Sequence, residues 1–152
     1  MFVRLRNRIG DYVGIDPTLK NSSQSEHCTL IRGYFPEDLP SDIGDFDSIT
    51  VLAVFEHIKP HAQKEFALHC DRLLRPGGFL IITIPSAVVD PILDILKRIR
   101  FIHGMALEEH YGFEIKHTPA IFSVGDLQVV EIKRFQLGLN NLFVFHKSVR
   151  PC

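Results

Sequence analysis

The chain has 152 residues, 45% of them hydrophobic, and its 17 Lys and Arg against 18 Asp and Glu leave a formal net charge of -1. This size and composition predict a single globular domain spanning residues 1–152. A nearly balanced charge provides no field that would attract nucleic acid or an anionic membrane, so we expect neither as a partner.

The sequence also bears on compartment and metal binding. No segment approaches the about 20 apolar residues that cross a bilayer, and the N-terminal residues lack the apolar run of a secretion signal, so we expect a cytoplasmic protein. Cys28, Cys70 and Cys152 are odd in number and widely spaced. They predict reduced thiols rather than disulfides or a zinc site, and no bound metal.

The first half of the chain alternates short apolar runs with polar turns. Residues 1–9 have the apolar spacing of a helix that ends at Gly10, and residues 18–26 are polar. Residues 34–45, rich in proline and acids, predict a loop. Three apolar runs predict buried strands at 12–15, 28–31 and 46–54.

The second half begins with a helix that Pro60 can start and that runs to about residue 74. Pro76 cannot continue it, and Gly77 and Gly78 permit a tight reversal into a strand at 79–84. Asp90 and Pro91 predict another helix start, and residues 103–126 predict a loop with a short helix. Two strands at 127–135 and 142–146 close the chain.

Strands that alternate with helices, followed by a strand pair, predict an α/β fold with a mainly parallel, Rossmann-like sheet, helices on both faces and an antiparallel C-terminal hairpin. In order and spacing, four segments resemble the class I S-adenosylmethionine-dependent methyltransferases over nearly the whole chain. They are YVGIDP (12–17), FDSITVLAVFEHI (46–58), RLLRPGGFLIITIPS (72–86) and GLNNLFVFHK (138–147).

The resemblance begins inside the family's first helix. The family's first strand and its glycine-rich turn have no counterpart here, so we expect a shortened domain whose first strand is missing. Backbone groups on the neighbouring strands would then lack partners, at about 1–3 kcal/mol each if buried. The sheet would close up, borrow a strand from a partner, or stay partly open.

The resemblance implies S-adenosylmethionine as cofactor and a set of residues that bind it. Asp16 ends the family's second strand, where a carboxylate can accept hydrogen bonds from both ribose hydroxyls; its alternative role is that of a turn former before Pro17. Tyr34 or Phe35 could cover the purine and Asp38 could accept from its amino group, with core packing as the alternative.

The segment after the fourth strand carries the candidate chemistry. Val54 and Phe55 are expected to line the same adenosyl crevice as Asp16, while Glu56 and His57 are the candidate catalytic residues. His57 could take a proton from a nucleophile, or the pair could only cap the next helix. Some relatives bind a divalent ion through an acid three residues before this glutamate; Ala53 stands there, which argues against a metal.

The resemblance therefore predicts methyl transfer to an oxygen, nitrogen or carbon of a small molecule, impaired if the glycine-rich turn is lost. Two alternatives stay open. One is a non-catalytic scaffold or partner subunit, with homo-oligomers forming through exposed strand edges. The other is an oxidoreductase with a nucleotide cofactor, which also uses an acid after its second strand.

Overall fold

The computed structural model describes residues 10–86 and 114–149. The helices predicted at 1–9 and from residue 90, and residues 103–113 of the segment 103–126, lie outside these residues. Contacts divide the chain into two compact units, Met1–Ile43 and Gly44–Cys152. The prediction of a single domain stays a prediction.

The first unit contains a three-stranded sheet. Its strands are β1 (Tyr12–Ile15), β2 (Ser23–Ser25) and β3 (Cys28–Ile31), in the order β1-β3-β2. β3 lies in the middle, parallel to β1 and antiparallel to β2. The sequence did not predict β2, because its three exposed polar residues carry no apolar pattern and it forms by backbone pairing with β3.

The second unit contains a four-stranded sheet in the order β4-β5-β7-β6. β4 is parallel to β5, whereas β7 is antiparallel to both β5 and β6, so the predicted C-terminal hairpin is present. The strands are β4 (Phe46–Leu52), β5 (Leu74–Pro85), β6 (Leu127–Phe135) and β7 (Asn140–Lys147).

Among the described residues, two α-helices and two 3-10 helices accompany this sheet. They are a 3-10 turn at Phe55–His57, α1 (Pro60–Leu73), a second 3-10 turn at Ile115–His117, and α2 (Thr118–Phe122). The α/β class is confirmed. The described strands make two parallel and three antiparallel pairings in two sheets, where the sequence predicted one mainly parallel sheet.

Strand β5 begins earlier than predicted, at Leu74, which pairs with Phe46; the register then shifts, and pairing resumes at Phe79 after the Pro-Gly-Gly segment. Gly77 has a φ of 81°, which favours glycine. A Cβ on Gly78 would lie 2.9 Å from the carbonyl oxygen of Arg75 and 3.1 Å from that of Asp47. Gly77 is therefore needed for its backbone conformation, and Gly78 for the close approach of two carbonyl oxygens.

The core of the second unit is aromatic. The ring of Phe122 lies 4.6 Å from that of Phe55 and 5.4 Å from that of Phe145, measured between centroids, and all three side chains are fully buried. Phe66 of α1 also contacts Phe55 and Phe122, at 5.7 and 6.4 Å. The helices, the sheet and the loop after β4 therefore share one cluster.

A lysine on the last strand caps the end of α1. Lys147 donates from Nζ to the carbonyl oxygen of Leu74 at 2.9 Å and also to that of Asp71. Its Nζ lies 3.7 Å from Asp71 Oδ1, and both side chains are more than four-fifths buried, at 13% and 14% exposure. A cation at a helix C-terminus satisfies carbonyl groups that have no partner in the helix.

Shortening Phe122 tests the aromatic cluster. We expect Phe122→Ala to lower the free energy of unfolding by about 3–5 kcal/mol, because it leaves a cavity among buried rings. Urea denaturation measures this loss. The control Leu137→Ala removes a fully exposed side chain and should change stability by less than about 0.5 kcal/mol; equal losses would contradict the assignment of the cluster as core.

Replacing Lys147 tests the helix cap. Lys147→Met keeps the apolar stem and removes the donor, leaving part-buried carbonyl oxygens unsatisfied, so thermal and urea unfolding should show a loss of about 1–3 kcal/mol. The control is Lys116→Met, whose ion pair with Glu114 is exposed and should contribute less than about 1 kcal/mol. Similar losses in both variants would refute the capping role.

Candidate functional site

Strands β1 and β3 are parallel, so their carboxyl ends meet at one edge of the first sheet. Asp16 lies at this edge, where its N–H donates to the carbonyl oxygen of Ile31 at 3.1 Å and its own carbonyl oxygen accepts from Gly33 at 3.4 Å. The chain therefore brings Asp16 and the segment that begins at Gly33 together.

The two oxygens of the Asp16 carboxylate can serve separate roles. Its Oδ1 accepts from the N–H of Thr18 at 2.7 Å and from the Thr18 hydroxyl at 2.6 Å, so the turn-forming role is present. Oδ2 makes no hydrogen bond with the described residues, and the side chain is exposed. Forming the turn thus leaves one carboxylate oxygen available for a ligand hydroxyl.

Gly33 permits a close approach at the same edge. A Cβ there would lie 2.5 Å from the Cβ of Asp38 and 2.6 Å from its Oδ2. That Oδ2 accepts from the N–H of Tyr34 at 2.8 Å, so Asp38 holds the loop with one oxygen. The Tyr34 side chain is 67% exposed, whereas Phe35 is half-buried. Core packing therefore does not account for Tyr34.

In the second unit, the loop after β4 carries the other candidates. Ala53 has a φ of 52°, an uncommon value for a residue with a Cβ, and its N–H donates to Thr83 at 2.9 Å. Val54 is about half exposed, while the ring of Phe55 lies entirely in the aromatic core. Phe55 as a whole residue is 0% exposed, so none of its atoms is accessible to a cofactor, contrary to the predicted binding role.

Glu56 and His57 lie side by side in the 3-10 turn. Glu56 Oε1 is 3.9 Å from His57 Nε2; the glutamate side chain is buried at 4% exposure, and the histidine is 29% exposed. These two atoms are close enough for an electrostatic contact but too far apart for a hydrogen bond. The N-cap of α1 is Lys59, whose side chain makes no capping hydrogen bond.

Sequence reasoning missed two polar side chains that hold the loops at this edge of the second sheet. Gln63 is buried, and its Nε2 donates to the carbonyl oxygen of Ile58 at 3.0 Å, just after His57. Asn141 donates to Ser86 Oγ at 3.0 Å, and that hydroxyl donates to Gly138 at 2.6 Å. A buried amide on an otherwise apolar helix face is the only sequence signal for Gln63.

The described residues contain neither a cluster of metal ligands nor a membrane-spanning helix. Within residues 10–86 and 114–149, no three His, Cys, Asp or Glu side chains are grouped so that they could hold a metal ion. In the same residues, no helix has both the length and the apolar character to cross a membrane. The predictions of no metal and of a cytoplasmic protein stay predictions.

Comparison with known proteins identifies the family. A family model described as a methyltransferase domain matches residues 1–82, more than half of the 152 residues. No curated protein matches the chain. Among solved structures, a Pyrococcus horikoshii protein is similar with a TM-score of 0.70 and 13% identity, over 96% of this chain and 77% of that one.

Two further structures bear on partners. A chain from the complex of the Haloferax volcanii Trm112 methyltransferase activator with a candidate methyltransferase matches with a TM-score of 0.68 and 15% identity, covering 97% of this chain and 77% of that one. The 16S rRNA (adenine(1408)-N(1))-methyltransferase of Catenulisporales acidiphilia matches with a TM-score of 0.58 and 13% identity, covering 92% and 74%.

These neighbours correct the predicted partners. The sequence excluded nucleic acid and predicted a small-molecule acceptor with self-association through strand edges, but one neighbour modifies rRNA and another is solved with an activator protein. The exclusion was wrong because it relied on net charge, which says nothing about local patches on a fold. The family model and the shared fold together show that this chain belongs to the methyltransferase domain family, among the class I S-adenosylmethionine-dependent enzymes.

Proposed function

We propose that this chain binds S-adenosylmethionine and transfers its methyl group to an acceptor. The observation that carries the proposal is the edge shared by β1 and β3, where Asp16 keeps Oδ2 available and Gly33 leaves the space that the Asp38 side chain fills to hold the loop. Ligands of open α/β sheets bind at such carboxyl ends. Membership in the methyltransferase domain family supports the choice of ligand.

Each binding residue fits one part of an adenosyl group. Asp16 Oδ2 can accept from a ribose hydroxyl, and the exposed ring of Tyr34 can cover the purine with Phe35 behind it. Asp38 uses Oδ2 for the loop, which leaves Oδ1 for the purine amino group.

The chemistry asks little of the protein beyond positioning. The bound cofactor would supply an activated methyl group with its own leaving group. His57 takes the proton from an acceptor hydroxyl or amine, with the Glu56 carboxylate in electrostatic contact with its ring. The sequence predicted a small-molecule acceptor, but a neighbour of the same fold modifies rRNA, so we propose only a hydroxyl or amine acceptor. A cytoplasmic location is proposed with it.

Calorimetric titration with S-adenosylmethionine, and with S-adenosylhomocysteine, tests cofactor binding. We expect both ligands to bind, and Asp16→Asn to raise Kd about 10-fold to 150-fold, because a hydrogen bond to a charged group contributes about 1.5–3 kcal/mol. The matched control, Glu37→Gln, removes an exposed acid from the same unit and should leave Kd within twofold.

The outcomes separate the alternatives. No heat at millimolar ligand, with the protein shown to be folded, would exclude the enzyme and favour a non-catalytic scaffold. Tight binding of a nicotinamide nucleotide instead would favour an oxidoreductase. If Asp16→Asn and Glu37→Gln behaved alike, Asp16 would be only a turn former.

A substitution at His57 tests its role in proton transfer. With an acceptor identified from a panel of small hydroxyl and amine compounds and RNA, we expect His57→Gln to lower kcat about 100-fold or more while the Kd of S-adenosylmethionine stays unchanged. The control, His27→Gln, removes an exposed histidine of the other unit. Unchanged kcat would assign the Glu56–His57 pair a structural role.

A further inference from the structure

The outward face of α1 carries a row of polar and basic side chains that the proposed chemistry does not use. A depression of about 380 Å³ runs along this face. The described residues that line it come from this one helix: His61, Lys64, Glu65, Leu68, His69 and Arg72.

The spacing of these residues places them along one stripe. Positions 61, 64, 68 and 72 are separated by three or four residues, so their side chains project from the same side of a helix. Lys64 and Arg72 are two turns apart, a rise of about 12 Å.

The two strong cations of this stripe have no acidic partner among the described residues. Nearby basic side chains do have one: Lys147 pairs with Asp71 and Arg75 with Asp47. No such ion pair involves Lys64 or Arg72, and both are exposed. The one acid of the stripe, Glu65, lies 3.9 Å from the His69 ring.

The remaining lining residues suit the rest of a nucleotide. Leu68 is half-buried between the basic residues, and imidazole rings lie at positions 61 and 69. Single-stranded RNA is commonly bound by basic side chains that contact phosphates and by flat rings on which bases stack. The combination therefore fits an RNA strand better than an isolated anion, which needs only the charges.

We propose that this face of α1 binds single-stranded RNA along its phosphate backbone, through Lys64 and Arg72. The helix begins three positions after His57, so the stripe starts beside the candidate catalytic turn and a strand lying along it can present a base there. This inference deepens the proposed function, on which it rests, by naming the class of acceptor. A solved neighbour of the same fold acts on rRNA.

Fluorescence anisotropy with a labelled 20-nucleotide single-stranded RNA of mixed sequence, without cofactor, tests the proposal. We expect the intact chain to bind at 50 mM salt and Lys64→Glu/Arg72→Glu to raise Kd at least 10-fold. The slope of log Kd against log salt should fall by about 1.4, since two phosphate contacts are lost. Lys64→Gln/Arg72→Gln should show a smaller change in the same direction.

The matched control is Lys133→Glu/Arg134→Glu, which reverses two exposed charges on β6 of the same unit and should leave Kd within twofold. Equal weakening by both double variants would show a diffuse charge effect and overturn the site, as would no RNA binding by the intact folded chain. A further result would be full displacement of the RNA by heparin while the α1 variant keeps the salt slope of the intact chain. That result would indicate a general affinity for polyanions and would overturn the RNA site on α1. Calorimetry with S-adenosylmethionine on the α1 variants separates loss of this site from failure of the proposed function.

Discussion

The position of the candidate catalytic turn depends on the burial of the Phe55 ring. The residue follows β4 directly, yet its ring lies in a cluster with Phe66 of α1 and Phe122 of α2. Rings packed at these distances make the close contacts of a protein interior, and these contacts hold the loop against the core. The Glu56–His57 pair is therefore held on the core itself, and Gln63 fixes the next residue, Ile58.

The left-handed backbone of Ala53 is an energetic cost of holding the turn on the core. A left-handed backbone at a residue with a Cβ is unfavourable by about 1–2 kcal/mol, and it persists only when the surroundings impose it. Here the N–H of Ala53 donates to Thr83 on one side, and the Phe55 ring enters the core on the other. Together these contacts turn the chain sharply and bring His57 to the carboxyl end of β4.

Much of the fold followed from pattern, and the failures have physical causes. The strand predicted at 46–54 ends at Leu52, because the last two residues of the apolar run turn into the loop. β5 was predicted too short, because periodicity detects buried side chains and not the isolated backbone pairing of Leu74 with Phe46 ahead of the Pro-Gly-Gly segment. Phe55 was expected at the cofactor because a strand end is where ligands bind. Its burial depends on partners 11 and 67 residues away in sequence, Phe66 and Phe122, that no local window contains.

The Lys147 cap also bears on how the second unit forms during synthesis. Helix α1 leaves the ribosome more than 70 residues before the lysine that satisfies its final carbonyl groups. Until the last strand emerges, those carbonyls must be satisfied by water, and β5 lacks its neighbour β7. The nascent second unit therefore reaches its stable arrangement only after β7 has emerged, and translation products that stop before β7 should be substrates for chaperones and proteases.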